Sequence, residues 1–161
     1  MTNNDRITRL LIALDDADRT VRQEAALALG GVHDQRVADA LVDRLGRERE
    51  CFVRETLTWA TVQQADAAAP RVLELLSSPE PRVRAQAAHV LSKIGDPAHA
   101  ERLLDVVADE NPHVAVKAYR AAANTGHPAV IPALAGRLGH GDPEQRDALT
   151  RAFATLGEPA L

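Results

Sequence analysis

The sequence predicts an all-α fold, an α-solenoid of stacked antiparallel helix pairs, and three observations carry that prediction. The first is an internal repeat. Equivalent origins at Val21, Val53, Val83, Val114 and Gln145 lie 32, 30, 31 and 31 residues apart, and self-similarity at a fixed period of this size marks a helical solenoid. The second is apolar spacing inside the unit. Val83, Ala87, Val90, Leu91 and Ile94 share one face of a 3.6-residue period, and Ala100, Leu103, Leu104 and Val107 form a second stripe. The third is the turn chemistry between the stripes. Gly95 suits a left-handed helix end, and Asp96-Pro97 supplies a cap and a first-turn proline. A lone helical hairpin cannot bury both stripes, so the units must stack.

The chain, 1–161, reads as a single domain of such units. A half-repeat at 5–14 opens it: Ile7, Leu10, Leu11 and Leu14 reproduce the stripe of a second helix, and the polar Arg6 and Arg9 suit an N-terminal cap. The repeat at about 18–45 follows, with Asp18 as N-cap and Gly30-Gly31 loosening the helix end. The charged run Gly46–Glu50 reads as a solvated loop. The repeat at 50–76 departs most: its turn has no glycine, Thr61 and Gln64 stand at apolar positions, and Pro70 falls just inside its second helix. At 80–107 and 111–138 the helices start on Pro81 and Pro112, and Pro132 falls in a first turn, where proline is tolerated. A partial repeat, 142–161, begins with Asp142-Pro143 and restarts the turn pattern at Gly157-Glu158-Pro159. The sequence stops where a second helix would start, so Phe153 and Leu156 need cover, from chain beyond Leu161 or from self-association through this helix.

Two stretches, VRQEAALALGGVHD at 21–34 and VRAQAAHVLSKIGDP at 83–97, resemble HEAT repeats, in particular the short phycobilisome-lyase type. The resemblance covers nearly the whole chain and is weaker at 53–76 and 145–161. It implies first helices on a convex surface and second helices lining a concave one. It also implies a ladder between repeats, in which the arginine after each origin pairs with an aspartate of the inter-helix turn. The arginines are Arg22, Arg54, Arg84 and Arg146, with Ala115 breaking the series; the aspartates are Asp34, Asp66 and Asp96. A phosphate-binding stripe is the other reading of these arginines, but aspartates at the same period make mutual neutralisation simpler.

Composition narrows the function. A formal net charge of −4 with interspersed signs argues against a polyanion binder, and 2% aromatic residues argue against stacking platforms for single strands. One cysteine, Cys51, leaves no internal disulfide and suits a reducing, cytoplasmic setting. No apolar run approaches the ~20 residues of a membrane span, and MTNNDRITRL has no signal-peptide character.

No catalytic pattern emerges. The six histidines contain no i, i+4 pair, and none lies near Cys51 in sequence, so neither a metal site nor a cysteine nucleophile is indicated. Gly136–Gly141 carries glycines in the wrong order for a phosphate loop and follows a helix. The sequence thus calls for no cofactor and no enzyme, and the reading is a non-catalytic protein-interaction scaffold. An accessory subunit of a lyase-type or other cofactor-handling enzyme is the alternative implied by the resemblance, and a nucleic-acid-binding solenoid ranks below it.

The candidate partner-binding surface lies in the repeat at 50–76. Phe52 and Trp59 are seven residues apart and share a helix face. Phe52 aligns with Thr20, Arg82, His113 and Glu144, and Trp59 with Leu27, His89, Arg120 and Arg151. Positions that accept arginine and glutamate in sister repeats are expected at the surface, and large aromatics there suit an interface anchor. Thr56 borders the pair, and His89 and Arg120 extend it. The competing expectation is that Trp59 turns inward to fill space left by Thr61 and Gln64.

Overall fold

Local rules place most helix boundaries. The computed structural model describes residues 1–157, and among these there are ten α-helices and no strand. Turn residues at Glu158-Pro159 and the end at Leu161 lie outside the described residues. The chain divides into two compact units, Met1–Val72 and Leu73 onward.

The first unit starts with α1 (Asn3–Ala13). Its Thr2 cap and Asp5 exchange hydrogen bonds as a capping box. Asp18 caps α2 (Arg19–Leu29), as its position before the first apolar stripe predicts. Asp34 caps α3 (Gln35–Arg47) by accepting from the Arg36 amide at 2.8 Å. α4 (Cys51–Gln63) and α5 (Ala65–Leu75) are joined by Gln64 alone, which explains how this turn manages without glycine. Pro70 lies in the interior of α5 rather than at its start. Its missing N–H gives up one intrahelical bond, on an exposed side where water can serve the freed carbonyl. Leu29, Val37, Leu41, Val42, Leu45 and Leu57 are fully buried, as α2 packs on α1 and α4 and α3 packs on α4.

Thr61 and Gln64 are also buried, and each spends a side-chain donor on a backbone carbonyl, while the Gln64 side-chain oxygen is left buried without a partner. The Thr61 hydroxyl donates to the Leu57 carbonyl at 2.7 Å, and the Gln64 amide donates to the Leu29 carbonyl at 3.2 Å.

The second unit repeats the scheme with firmer stops. α6 (Pro81–Ile94) begins on proline and ends at Gly95, whose φ of +65° is the left-handed cap expected there. Asp96 then caps a 3-10 turn, Pro97–His99, which leads directly into α7 (Ala100–Val107). Asn111 caps α8 (Pro112–Thr125), and Gly126, again at +65°, closes it. α9 (Val130–Ala135) carries Pro132 in its first turn. Asp142 and Gln145 form a capping box at the start of α10 (Pro143–Leu156). α8 is the centre of this unit, packing on α6, α7, α9 and α10. Its face of Ala115, Ala118, Ala121 and Ala122 is buried, because small side chains let four helices approach one axis. Each alanine removes little apolar area, so stabilisation at ~25 cal/mol per Å² accrues across many neighbours rather than at a few anchors.

Candidate functional site

The arginine after each origin does not form the expected ladder with turn aspartates. Asp34 is occupied by its own helix, capping α3 and pairing with Arg36 at 2.8 Å, and Asp96 accepts from the Ala98 amide at 2.9 Å. N-capping uses these carboxylates locally, while the arginines reach elsewhere. Arg22 binds Glu48 in a bidentate fork, Nε to Oε2 at 2.8 Å and Nη2 to Oε1 at 3.0 Å. Its third nitrogen donates to the carbonyls of Asp16 and Ala17. Arg84 repeats the arrangement on Asp109, at 2.8 and 3.0 Å, and on the carbonyls of Ser78 and Pro79. Each arginine therefore clamps the linker that enters its repeat to the linker that leaves it. Arg54 retains the first half, donating to the Arg49 carbonyl.

Glu48 corrects the picture of a solvated loop at 46–50: it is 1% exposed. Arg44 adds a third cationic contact at 2.9 Å, and the amides of Arg49 and Glu50 donate to Oε1 at 3.0 Å. Burial by itself would raise the pKa of this carboxyl. The hydrogen bonds from Arg22 and the Glu50 amide, with Arg44 beside them, outweigh it and hold the value at about 2. Asp109 is likewise pushed upward by burial and brought below the ordinary range by Arg84 and the Asn111 amide. These sites are structural, with every charge answered by a partner.

The candidate partner surface is different in kind. Phe52, Thr56 and Trp59 fall on one face of α4, and the two aromatics are 74% and 43% exposed. Leu27, the equivalent of Trp59 on α2, is 58% exposed. Trp59 rests its ring edge on Gly30, where an added Cβ would sit 2.3 Å from Cζ3. Gly30 has an ordinary helical φ of −57°, so its role is room for the indole rather than a backbone turn. Thr56 accepts from the Gln23 amide at 3.3 Å, tying α4 to α2 beside the aromatics. A groove of about 260 Å³ opens between the two helices, with Phe52 and Val53 on one side and Thr20 and Gln23 on the other. Trp59 thus does not turn inward to fill the core. His89, half-buried on α6, and Arg120, exposed on α8, stand in the second unit.

Among the described residues, no three His, Cys, Asp or Glu side chains come together as metal ligands. No helix is long and apolar enough to cross a membrane.

Residues 53–114 match the family described as HEAT repeats. No curated protein matches the sequence. Among solved structures, the fold is similar to the complex of CpcE and CpcF of phycocyanin lyase from Nostoc sp. PCC7120. The TM-score there is 0.65 at 24% identity, over 94% of this chain and 65% of that one. It is similar to human deoxyhypusine hydroxylase with a TM-score of 0.57 at 20% identity, over 96% of this chain and 74% of that one. A designed armadillo repeat protein gives 0.52 at 16% identity, over 96% and 87%. A lyase complex, a hydroxylase and a designed repeat protein share this architecture, so the likeness concerns fold. The match to HEAT repeats thus covers residues 53–114, and the helical array that contains them is an α-solenoid with a HEAT-like fold.

Proposed function

We propose that the protein is a non-catalytic protein-interaction module that engages its partner through the aromatic face of α4. The observation that carries this reading is the exposure of Phe52 and Trp59 in a chain whose other large side chains are mostly buried. Aromatic anchors set among polar neighbours are what a partner desolvates to gain affinity, and Trp59 is held in place by Gly30 rather than left loose on the surface. Exposed Cys51 at the start of α4 suits a reducing compartment, consistent with a cytoplasmic protein.

The test is Trp59→Ala in the intact chain, with capture from the native cell and melting measured side by side. Loss of the parent's captured protein, with a melting temperature within a degree or two, is the expected result. Unchanged capture, or destabilisation of the size seen for buried aromatics, about 3–5 kcal/mol, would overturn it. A second reading draws on the fold likeness to the CpcE–CpcF complex: an accessory subunit that works beside a second subunit of an enzyme. A chromophore or cofactor co-purifying with the protein and its partner would favour that reading.

A further inference from the structure

The register position that is apolar in the first unit holds His89 and then two arginines in the second. Leu27 and Trp59 correspond to Arg120 on α8 and Arg151 on α10. Lys117, Arg120 and Asn124 follow one another at three- and four-residue steps, so they share a face of α8, while Ala148, Arg151 and Thr155 share one of α10. The two faces line a groove of about 480 Å³, within the range of ligand-binding clefts.

Its charge is uncompensated. Elsewhere in the molecule Arg22, Arg44, Arg71, Arg84 and Arg102 are each paired with a carboxylate. Among the described residues, Lys117, Arg120 and Arg151 make no ion pair, and the one carboxylate of the groove is Glu144, in the first turn of α10. In a chain of net charge −4, three such cations lining one groove beside a single carboxylate make a locally positive surface. Their self-repulsion is relieved when an anion arrives.

Two features select the anion. Asn124 lines the groove and donates its amide to the Ser92 carbonyl at 2.8 Å, which leaves its side-chain oxygen as an acceptor. A peptide has backbone N–H groups to satisfy that acceptor, whereas a polyphosphate has none. Glu144 repels a continuous polyanion but tolerates a chain whose charges are spaced. From Lys117 to Asn124 the helix rises about 10 Å, the span of about three extended residues. We propose that the α8–α10 groove binds a short acidic polypeptide segment, with its carboxylates on Lys117, Arg120 and Arg151. This surface is independent of the aromatic face of α4.

The probe is a fluorescein-labelled peptide of alternating glutamate and glycine with three glutamates, followed by fluorescence polarisation against the intact protein at low and at high sodium chloride. Binding that weakens with salt, and weakens at least tenfold in Arg120→Ala/Arg151→Ala with the melting curve unchanged, is expected. Ala148→Glu, which puts a carboxylate into the groove, should weaken it similarly, while Trp59→Ala should leave it intact. No binding to the parent, or equal binding to the double variant, overturns the proposal. Tighter binding of a polyphosphate or an oligonucleotide of the same charge, lost in the same variant, overturns the choice of polypeptide.

Discussion

Glu48 shows how much one carboxylate can hold when every lone pair is used. Its partners are two arginines and two backbone amides, all within 3.0 Å. Glu48→Gln should destabilise the protein by about 3–5 kcal/mol, because Arg22 is left buried without a counter-charge. Urea unfolding gives the measurement, and a loss below 1 kcal/mol would show that the fork matters little. Stability should also follow pH through this group. Its carboxyl titrates at 4.5 in the unfolded chain and at about 2 in the folded one. The contribution is therefore complete above pH 4.5 and disappears as pH falls from there to about 2. A shift of this size corresponds to about 3 kcal/mol, and the Gln variant should lack that part of the acid dependence. Nothing in local sequence rules announces Glu48. A charged loop of alternating Arg and Glu looks solvated by every short-range criterion. Spacing does not announce it either: an acid follows Arg22 by 26 residues and Arg84 by 25, but Glu80 also follows Arg54 by 26, and Arg54 donates to the Arg49 carbonyl instead.

At the level of elements, α2 and α4 meet through a missing side chain. Gly30 has a helical backbone that alanine adopts freely, and by propensity alone alanine would gain up to about 1 kcal/mol there. Its Cβ would instead collide with the Trp59 ring. Gly30→Ala should displace the indole toward water, and because Trp59 is the only tryptophan, the emission maximum reports it without interference. A red shift of several nanometres is the expected outcome; an unchanged spectrum would mean the ring does not lean on α2. The sequence reading of this glycine as an early helix end holds, since α2 stops at Leu29 with Gly30 as its cap, but it missed the indole because propensity rules describe backbone freedom and not the space a distant residue needs. Caps were legible for the opposite reason. Asp18, Asn111 and Asp142 act on amides two or three residues away, and Gly95 and Gly126 answer to their own φ. Periodicity left Trp59 open between the surface and the core, since its sister positions hold Leu27 and His89 as well as Arg120 and Arg151, and the structure leaves it 43% exposed. The orientation of the arginines was not, because a guanidinium reaches across some 25 residues of sequence to choose among several acids.

At the scale of the whole molecule, the arginine clamps alternate with repeats that lack them. The repeats at 18–45 and 80–107 each have entering and leaving linkers fastened together, by Arg22–Glu48 in one unit and Arg84–Asp109 in the other. Arg54 reaches only the linker before it, and Ala115 reaches neither. Viewed as a tether under tension, the chain then has two kinds of link. A pull on its ends loads an unclamped repeat helix by helix, so it should lengthen gradually. A clamped repeat carries the load across the fork of the arginine and shields the helices behind it until the fork gives way. Its 26 residues should then run out together, a jump of up to about 90 Å for a fully extended segment. Optical-trap records of the intact protein should show two such jumps, and Glu48→Gln should convert one of them into a slope. Identical traces from parent and variant would mean that tension never passes through the clamp. Elasticity in this array would then be written by which repeats join their arginine to an acid of the leaving linker, a property that leaves the helices themselves untouched.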